Sequence, residues 1–136
     1  PDIVLFYNFG IIRTMLNDIK LIILFGSRAK GTSAEHSDAD IAVLAAHFLT
    51  LEEKIKIADE IAKELKISSD SPDIIDLRTA PPLLQHQIAE TGKLLRGSHS
   101  DFVRFRVLAW KRYQDTAKFR RSREESLKQY VKRNNF

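Results

Sequence analysis

The chain has 136 residues, of which 43% are hydrophobic and 29% charged, a composition typical of one compact soluble domain. It contains no cysteine, which excludes disulfide bonds and thiolate metal sites, and no apolar stretch reaches the roughly 18 residues needed to cross a bilayer. The first residues lack the basic region and the cleavage site of a signal peptide, so we expect a cytoplasmic protein with no membrane anchor.

Charge is distributed unevenly along the chain. Residues 101–136 contain 11 of the 22 basic residues but only 4 of the 18 acidic ones, which gives this segment a net charge of +7 and leaves −3 for residues 1–100. A basic segment of this kind can contact nucleic acid or an acidic protein surface, or it can be the solvated face of a helix.

The first half of the chain predicts two strands between helical or irregular segments. Residues 3–16 are mostly apolar and predict a helix. The apolar run 20–25 predicts a buried strand, the segment 26–37 a turn with a short helix and a loop, and residues 39–45 a second strand.

A helix beginning at Thr50 is predicted next, because Thr50 and Glu53 form a capping-box pattern. Apolar residues then recur at helical spacing, which predicts the face of this helix that packs on the core. The stretch 73–77 predicts a short third strand, and the prolines at 81–82 fit the start of another helix that ends near residue 92. The predicted apolar face consists of Leu51, Ile55, Ala58, Ala62 and Leu65.

From about residue 101 to 131 the pattern is again helical, as one helix or as two. Its first half is rich in apolar residues and is expected to pack on the domain, whereas its second half is strongly basic and is expected to project or to meet a partner. The alternation of strands and helices predicts an α/β domain with a three-stranded sheet. We therefore expect a compact domain over residues 1–98 and a basic C-terminal helical extension over residues 99–136.

The most informative feature is a small-residue turn followed by two acids. Gly26 and Ser27 end the first predicted strand, and Asp38 and Asp40 begin the second, with ten residues between Ser27 and Asp38. Free backbone N–H groups in such a turn can hold phosphate oxygens, and Arg28 beside it can pair with them. Carboxylates two residues apart on a strand point to one face and suit Mg²⁺. The pattern predicts a site for a metal-bound nucleotide.

A third carboxylate is needed to complete such a metal site and to accept a proton from an acceptor hydroxyl. The third predicted strand offers Asp73 and Asp76. Because these residues are three apart, they face opposite sides of a regular strand, so only one of them can be the ligand. The histidines at positions 47, 86 and 99 have no metal-ligand spacing to one another.

The sequence Gly26-Ser27, ten residues, Asp38-x-Asp40 resembles the signature of the DNA polymerase β-type nucleotidyltransferase superfamily. The fuller match is to its minimal nucleotidyltransferase branch and covers roughly residues 19–96. It rests on the segments 25–31, 37–41, 73–81 and 92–95.

The resemblance implies a polymerase β-like nucleotidyltransferase fold with a three-stranded mixed sheet, flanking helices and a long C-terminal helical extension. It implies that Gly26 and Ser27 hold the triphosphate of ATP and that Asp38 and Asp40 hold Mg²⁺. The third acid of the family corresponds to Asp73, although Pro72 replaces the usual preceding hydrophobic residue, and Asp76 remains the alternative.

Free-standing members of this branch are often antitoxins that transfer AMP from ATP to a tyrosine of a HEPN RNase toxin. The resemblance therefore implies a HEPN-domain partner and a hetero-oligomer. Two alternatives stay open: a binding module that neutralises the toxin by occlusion, and a nucleotidyltransferase that acts on a small molecule or on RNA. Aromatic residues among the basic residues of the C-terminal segment leave nucleic-acid binding as a further alternative.

Overall fold

The structure, a computed structural model, describes residues 18–26, 39–68, 70 and 72–134. The predicted N-terminal helix over 3–16 lies outside the described residues, as does nearly all of the turn, short helix and loop predicted over 26–37.

In the part of the chain that the structure describes, four strands form one mixed sheet in the order β3-β2-β1-β4. The two central strands, β1 and β2, pair antiparallel, β2 and β3 pair parallel, and β1 and β4 pair antiparallel. The expectation of three strands is therefore wrong by one. The strands are β1 (Ile19–Phe25), β2 (Ala39–Ala45), β3 (Pro72–Asp76) and β4 (Lys93–Arg96).

The missed strand, β4, is four residues long and lies at the edge of the sheet, between Gly92 and Gly97. Its sequence, Lys-Leu-Leu-Arg, has no alternation of apolar and polar residues. Only its pairing with β1, from Ile22↔Arg96 to Leu24↔Lys93, identifies it as a strand. Charged residues at both ends of an edge strand are a common protection against pairing with other chains.

Within the described residues, four helices accompany the sheet: α1 (Leu51–Leu65), α2 (Pro82–Thr91), α3 (His99–Asp115) and α4 (Ala117–Arg133). The predicted capping box at the start of α1 is confirmed, because the hydroxyl of Thr50 accepts from the N–H of Glu53 and the Glu53 carboxylate accepts from the N–H of Thr50. The predicted limits of α2 are also confirmed, since Pro82 begins the helix and Gly92 caps it.

The core has two layers, one on each face of the sheet. Helix α1 covers one face, and helices α2 and α3 cover the other. The predicted apolar face of α1 is partly wrong, because Leu51 and Ile55 are 74% and 59% exposed while Ile57 and Ile61 point into the core. The first layer contains Ile19, Ile22, Ala39, Ile41, Val43, Ile57, Ile61 and Ile74; the second contains Leu21, Ile23, Ala42, Leu77, Ile88, Ala89, Phe105 and Ala109.

The long C-terminal helical pattern is broken at Thr116, which separates α3 from α4. Helix α3 buries Phe105 and Ala109 against the sheet, whereas α4 has no buried residue. Within the described part of the chain, no helix is long and apolar enough to cross a membrane.

Candidate active site

Gly26 and Asp40 meet where β1 ends and β2 begins. Phe25 pairs with Asp40 across the antiparallel strands, so Gly26 is the first residue beyond that pair. Gly26 has φ of +78°, a conformation that glycine adopts without steric cost. A β-carbon on Gly26 would collide with Oδ2 of Asp40 and would lie 3.2 Å from its Cγ. The Asp40 carboxylate therefore lies directly against the bare backbone of Gly26.

Asp73 stands beside Asp40 on the neighbouring strand. The two residues are direct partners in the parallel β2–β3 register, so their side chains project from the same face of the sheet. Asp40 is half-buried and Asp73 is exposed. Both lie at the start of their strands, which places two carboxylates next to each other at one end of the sheet.

Asp76 occupies a different environment on the opposite face. It is 3% exposed, and its two carboxylate oxygens accept hydrogen bonds of 2.9 Å from the backbone N–H groups of Leu49 and Arg78. The bond from Leu49 fastens the end of β3 to the segment that leads into α1, and the bond from Arg78 closes the turn that follows the strand. As the spacing predicted, Asp73 faces the same side of the sheet as Asp40, whereas Asp76 faces the other side and accepts from backbone N–H groups.

Three of the predicted site residues, Ser27, Arg28 and Asp38, lie outside the described residues. The structure brings together Gly26, Asp40 and Asp73, and the assignment of roles to all six residues remains a prediction. Among the described residues, no three His, Asp or Glu side chains are grouped so that they could hold a metal ion. Asp40 and Asp73 form a pair of neighbouring carboxylates of the kind that contributes ligands to a hard cation.

His47 forms a second polar cluster that the sequence did not indicate. Its Nε2 is 2.7 Å from the Glu53 carboxylate and its Nδ1 is 3.1 Å from that of Asp18. The hydrogen bond to Glu53, assisted by Asp18, raises the pKa of His47 despite the opposing effect of desolvation. The pKa of Glu53 is lowered, chiefly by the N–H that Thr50 donates to it. This cluster connects β1 to the start of α1.

The end of the sheet that contains Gly26, Asp40 and Asp73 has the groups that would suit a phosphorylated ligand together with a hard cation. Adjacent carboxylates attract Mg²⁺, which keeps coordination positions for substrate phosphates. A glycine backbone without a side chain lets a ligand approach closely.

Comparison with protein families matches residues 11–101 to a domain described as polymerase beta, nucleotidyltransferase. A curated relative, the protein adenylyltransferase MntA of Shewanella oneidensis, is 36% identical over 104 residues, which are 76% of this chain and 73% of the relative.

Two solved structures share the fold. A chain in a toxin–antitoxin crystal structure with AMP-PNP superposes with a TM-score of 0.72 at 34% identity, covering 85% of this chain and 91% of that one. A chain in the complex of tri-AMPylated Shewanella oneidensis HEPN toxin with MNT antitoxin gives a TM-score of 0.64 at 30% identity, covering 89% and 96%.

Proposed function

This chain belongs to the minimal nucleotidyltransferase family, a branch of the polymerase β nucleotidyltransferases, and on that premise we propose that it transfers AMP from ATP to a tyrosine of a HEPN toxin. The transfer neutralises the toxin, so the chain acts as its antitoxin. A cytoplasmic location fits this role.

The observation that supports the proposal most directly is the in-register pair of Asp40 and Asp73 beside the bare backbone of Gly26. Nucleotidyl transfer needs negative charge to be neutralised while an oxygen nucleophile approaches phosphorus. Two carboxylates on one face, next to the bare backbone of Gly26, are ligands for a cation that would supply this neutralisation.

In the proposed reaction the tyrosine oxygen attacks the α-phosphorus of ATP. A new oxygen–phosphorus bond forms, and the bond to the bridging oxygen breaks, so that pyrophosphate leaves. The tyrosine proton passes to Asp73, whose exposure makes it accessible to an incoming protein side chain. The backbone of Gly26 and Ser27, together with Arg28, binds the triphosphate.

Asp38, Asp40 and Asp73 are the residues that would hold Mg²⁺, and the register of Asp40 with Asp73 fits this donor set. When bound, the cation neutralises the charge that develops on the phosphate oxygens. Of this chain's own side chains, Asp40 defines the position of the site against Gly26, and Asp73 accepts the proton.

The partner is proposed from the relatives. The S. oneidensis relative is named a protein adenylyltransferase, and one structural neighbour is a complex with a tri-AMPylated HEPN toxin. The AMP-PNP in another neighbour supports ATP as the nucleotide.

A second candidate function, neutralisation by occlusion alone, is favoured by α4. This helix buries none of its residues and exposes Phe119, Leu127 and Tyr130 by 55 to 70%. A helix of that kind could cover a toxin without any chemistry.

Intact-mass analysis of the HEPN toxin after incubation with this protein, ATP and Mg²⁺ separates the two candidates. We expect mass to be added in whole AMP units by the wild-type protein and by Asp59→Asn, a matched change of an exposed aspartate on α1. Asp40→Asn should add none. A stable complex with no added mass would refute the transfer and support occlusion.

A further inference from the structure

A cleft of about 540 Å³ opens between α3 and the end of the sheet that lies away from the candidate active site. Leu44, near the end of β2, lines it, and this residue is about 13 Å along the strand from Asp40. The cleft is therefore separate from the nucleotide site, although both open on the same molecule.

The lining of the cleft is strongly basic. Four cationic side chains, those of Lys20, Arg78, Arg104 and Arg112, face a single carboxylate, that of Asp101. Such an excess of positive charge around a concave surface attracts negatively charged ligands and increases their rate of association.

Two of the arginines are fixed in place by the fold. Nη1 of Arg78 donates to the carbonyl of Ala46 at 2.6 Å, and its guanidinium lies 4.6 Å above the ring of Phe48. Nη1 of Arg112 donates to Oε1 of Gln85 at 2.9 Å. Gln85 is 6% exposed, and its amide donates to two backbone carbonyls, so it cannot rotate freely.

The other two cations have no such partner. Within the described residues, neither Lys20 nor Arg104 makes a hydrogen bond or an ion pair, and both side chains are exposed. Their charges are not used to hold the domain together and remain available to a ligand.

The arrangement of charge and apolar surface indicates the class of ligand. Arg104 and Arg112 are eight residues apart on α3, which is about 12 Å along the helix axis. A nucleotide concentrates its charge on adjoining phosphates, whereas charge distributed over this length matches several carboxylates along a polypeptide. Between the cations the cleft has an apolar surface formed by Leu44, Leu77, Phe105 and Leu108.

We infer that this cleft binds an acidic, amphipathic segment of the acceptor protein and so selects the protein that receives AMP. The inference rests on the proposed function. The nucleotide site of this small domain lies at one end of the sheet. A second contact with the acceptor protein, at the other end of the sheet, would add specificity.

The test compares two charge-reversed proteins. Lys20→Glu with Arg104→Glu changes the cleft, and Lys63→Glu with Lys66→Glu makes the same change in net charge on exposed residues at the end of α1, which covers the other face of the sheet. The Kd for the HEPN toxin is measured by calorimetry at several salt concentrations. We expect the cleft variant to raise Kd at least about tenfold and to flatten its salt dependence, with the α1 variant within about twofold of wild type.

An unchanged Kd in the cleft variant, or an equal loss in the α1 variant, would overturn the inference. So would a cleft variant that loses binding to a labelled single-stranded RNA but keeps the toxin. The replacements Lys20→Ala with Arg104→Ala, checked by thermal unfolding, separate lost contacts from lost folding. If wild type binds the toxin but adds no AMP, the transfer proposal fails and the cleft is still judged by Kd; if wild type does not bind, both fail.

Discussion

Oδ2 of Asp40 occupies the space that a side chain on Gly26 would need. The backbone of Gly26 has the left-handed φ of +78° that other residues adopt at a cost of roughly 1–2 kcal/mol. Gly26→Ala should therefore displace the Asp40 carboxylate and lower the rate of AMP transfer about 100-fold, since small misplacements of catalytic groups have effects of that size. Quantitative intact-mass kinetics measure the rate.

Gly97→Ala is the matched control for that change. Gly97 also has a positive φ, of +126°, and a β-carbon there would meet the carbonyl of Lys20 at the other end of β1. We expect the control to lose stability in a urea titration while its folded molecules transfer AMP at the wild-type rate. A Gly26→Ala protein that reacts as fast as wild type would remove Gly26 from the site.

Asp73 and Asp76 should separate activity from stability. Asp73→Asn removes an exposed carboxylate and its proton-accepting capacity, so transfer should fall at least about 100-fold with little change in unfolding free energy. Asp76→Asn replaces one acceptor oxygen by an N–H₂ group that faces a backbone N–H, which should cost roughly 2 kcal/mol of stability.

Urea denaturation and transfer kinetics are measured on both proteins, so that each variant is the control for the other. The opposite result, in which Asp76→Asn is stable but inactive, would make Asp76 the third acid of the site.

The His47 cluster predicts a pH-dependent contribution to stability. Because Glu53 and Asp18 raise the pKa of His47 above its ordinary 6.5, this contribution is complete below that value and is lost as pH rises through the raised pKa. The lowered pKa of Glu53 means that its own contribution is present above 4.5 and is lost as pH falls through the lowered value. The cluster is therefore strongest in mildly acidic solution.

Urea midpoints measured between about pH 6 and about pH 9 test this dependence. We expect the midpoint of wild type to fall more over this range than that of His47→Gln. His99→Gln, a change of an exposed histidine at the start of α3, should retain the wild-type dependence. Parallel curves for wild type and His47→Gln would show that the cluster adds nothing.

Helix α4 should be dispensable for folding. Because it buries no residue, a chain that ends at Thr116 loses only surface contacts, such as the stacking of Arg120 over Tyr113 at 3.6 Å. We expect its unfolding free energy to fall by no more than about 1 kcal/mol. If this shortened chain still adds AMP to the toxin and protects cells, occlusion by α4 is refuted; a large loss of stability would instead mean that α4 belongs to the domain.

Local sequence patterns predicted much of the fold because their causes are local. The apolar run and the turn residues before it predicted β2 at 39–45, the prolines and Gly92 predicted the limits of α2, and the capping box at Thr50 depends on two residues three apart. The apolar face of α1 was misassigned because the helix is apolar on two sides, and only contact with the sheet selects Ile57 and Ile61.

The features that escaped prediction depend on residues far apart in the chain. Strand β4 exists through its pairing with β1, about 70 residues earlier by the numbering of its partners. His47 meets Asp18, 29 residues away, and Asp76 accepts from Leu49, 27 residues away. For the site, spacing predicted that Asp73 and Asp76 face opposite sides, but the backbone donors that occupy Asp76 were not visible.

The activity proposed for this protein and its stability depend on the same parallel register of β2 with β3. A slip by one residue would turn Asp73 away from Asp40 and would also pull Asp76 from the backbone N–H of Leu49. The misaligned molecule would then be both inactive and unstable, because a buried carboxylate would lose a hydrogen bond. Inactive molecules that could still occupy the toxin without modifying it would be the ones most readily unfolded and degraded.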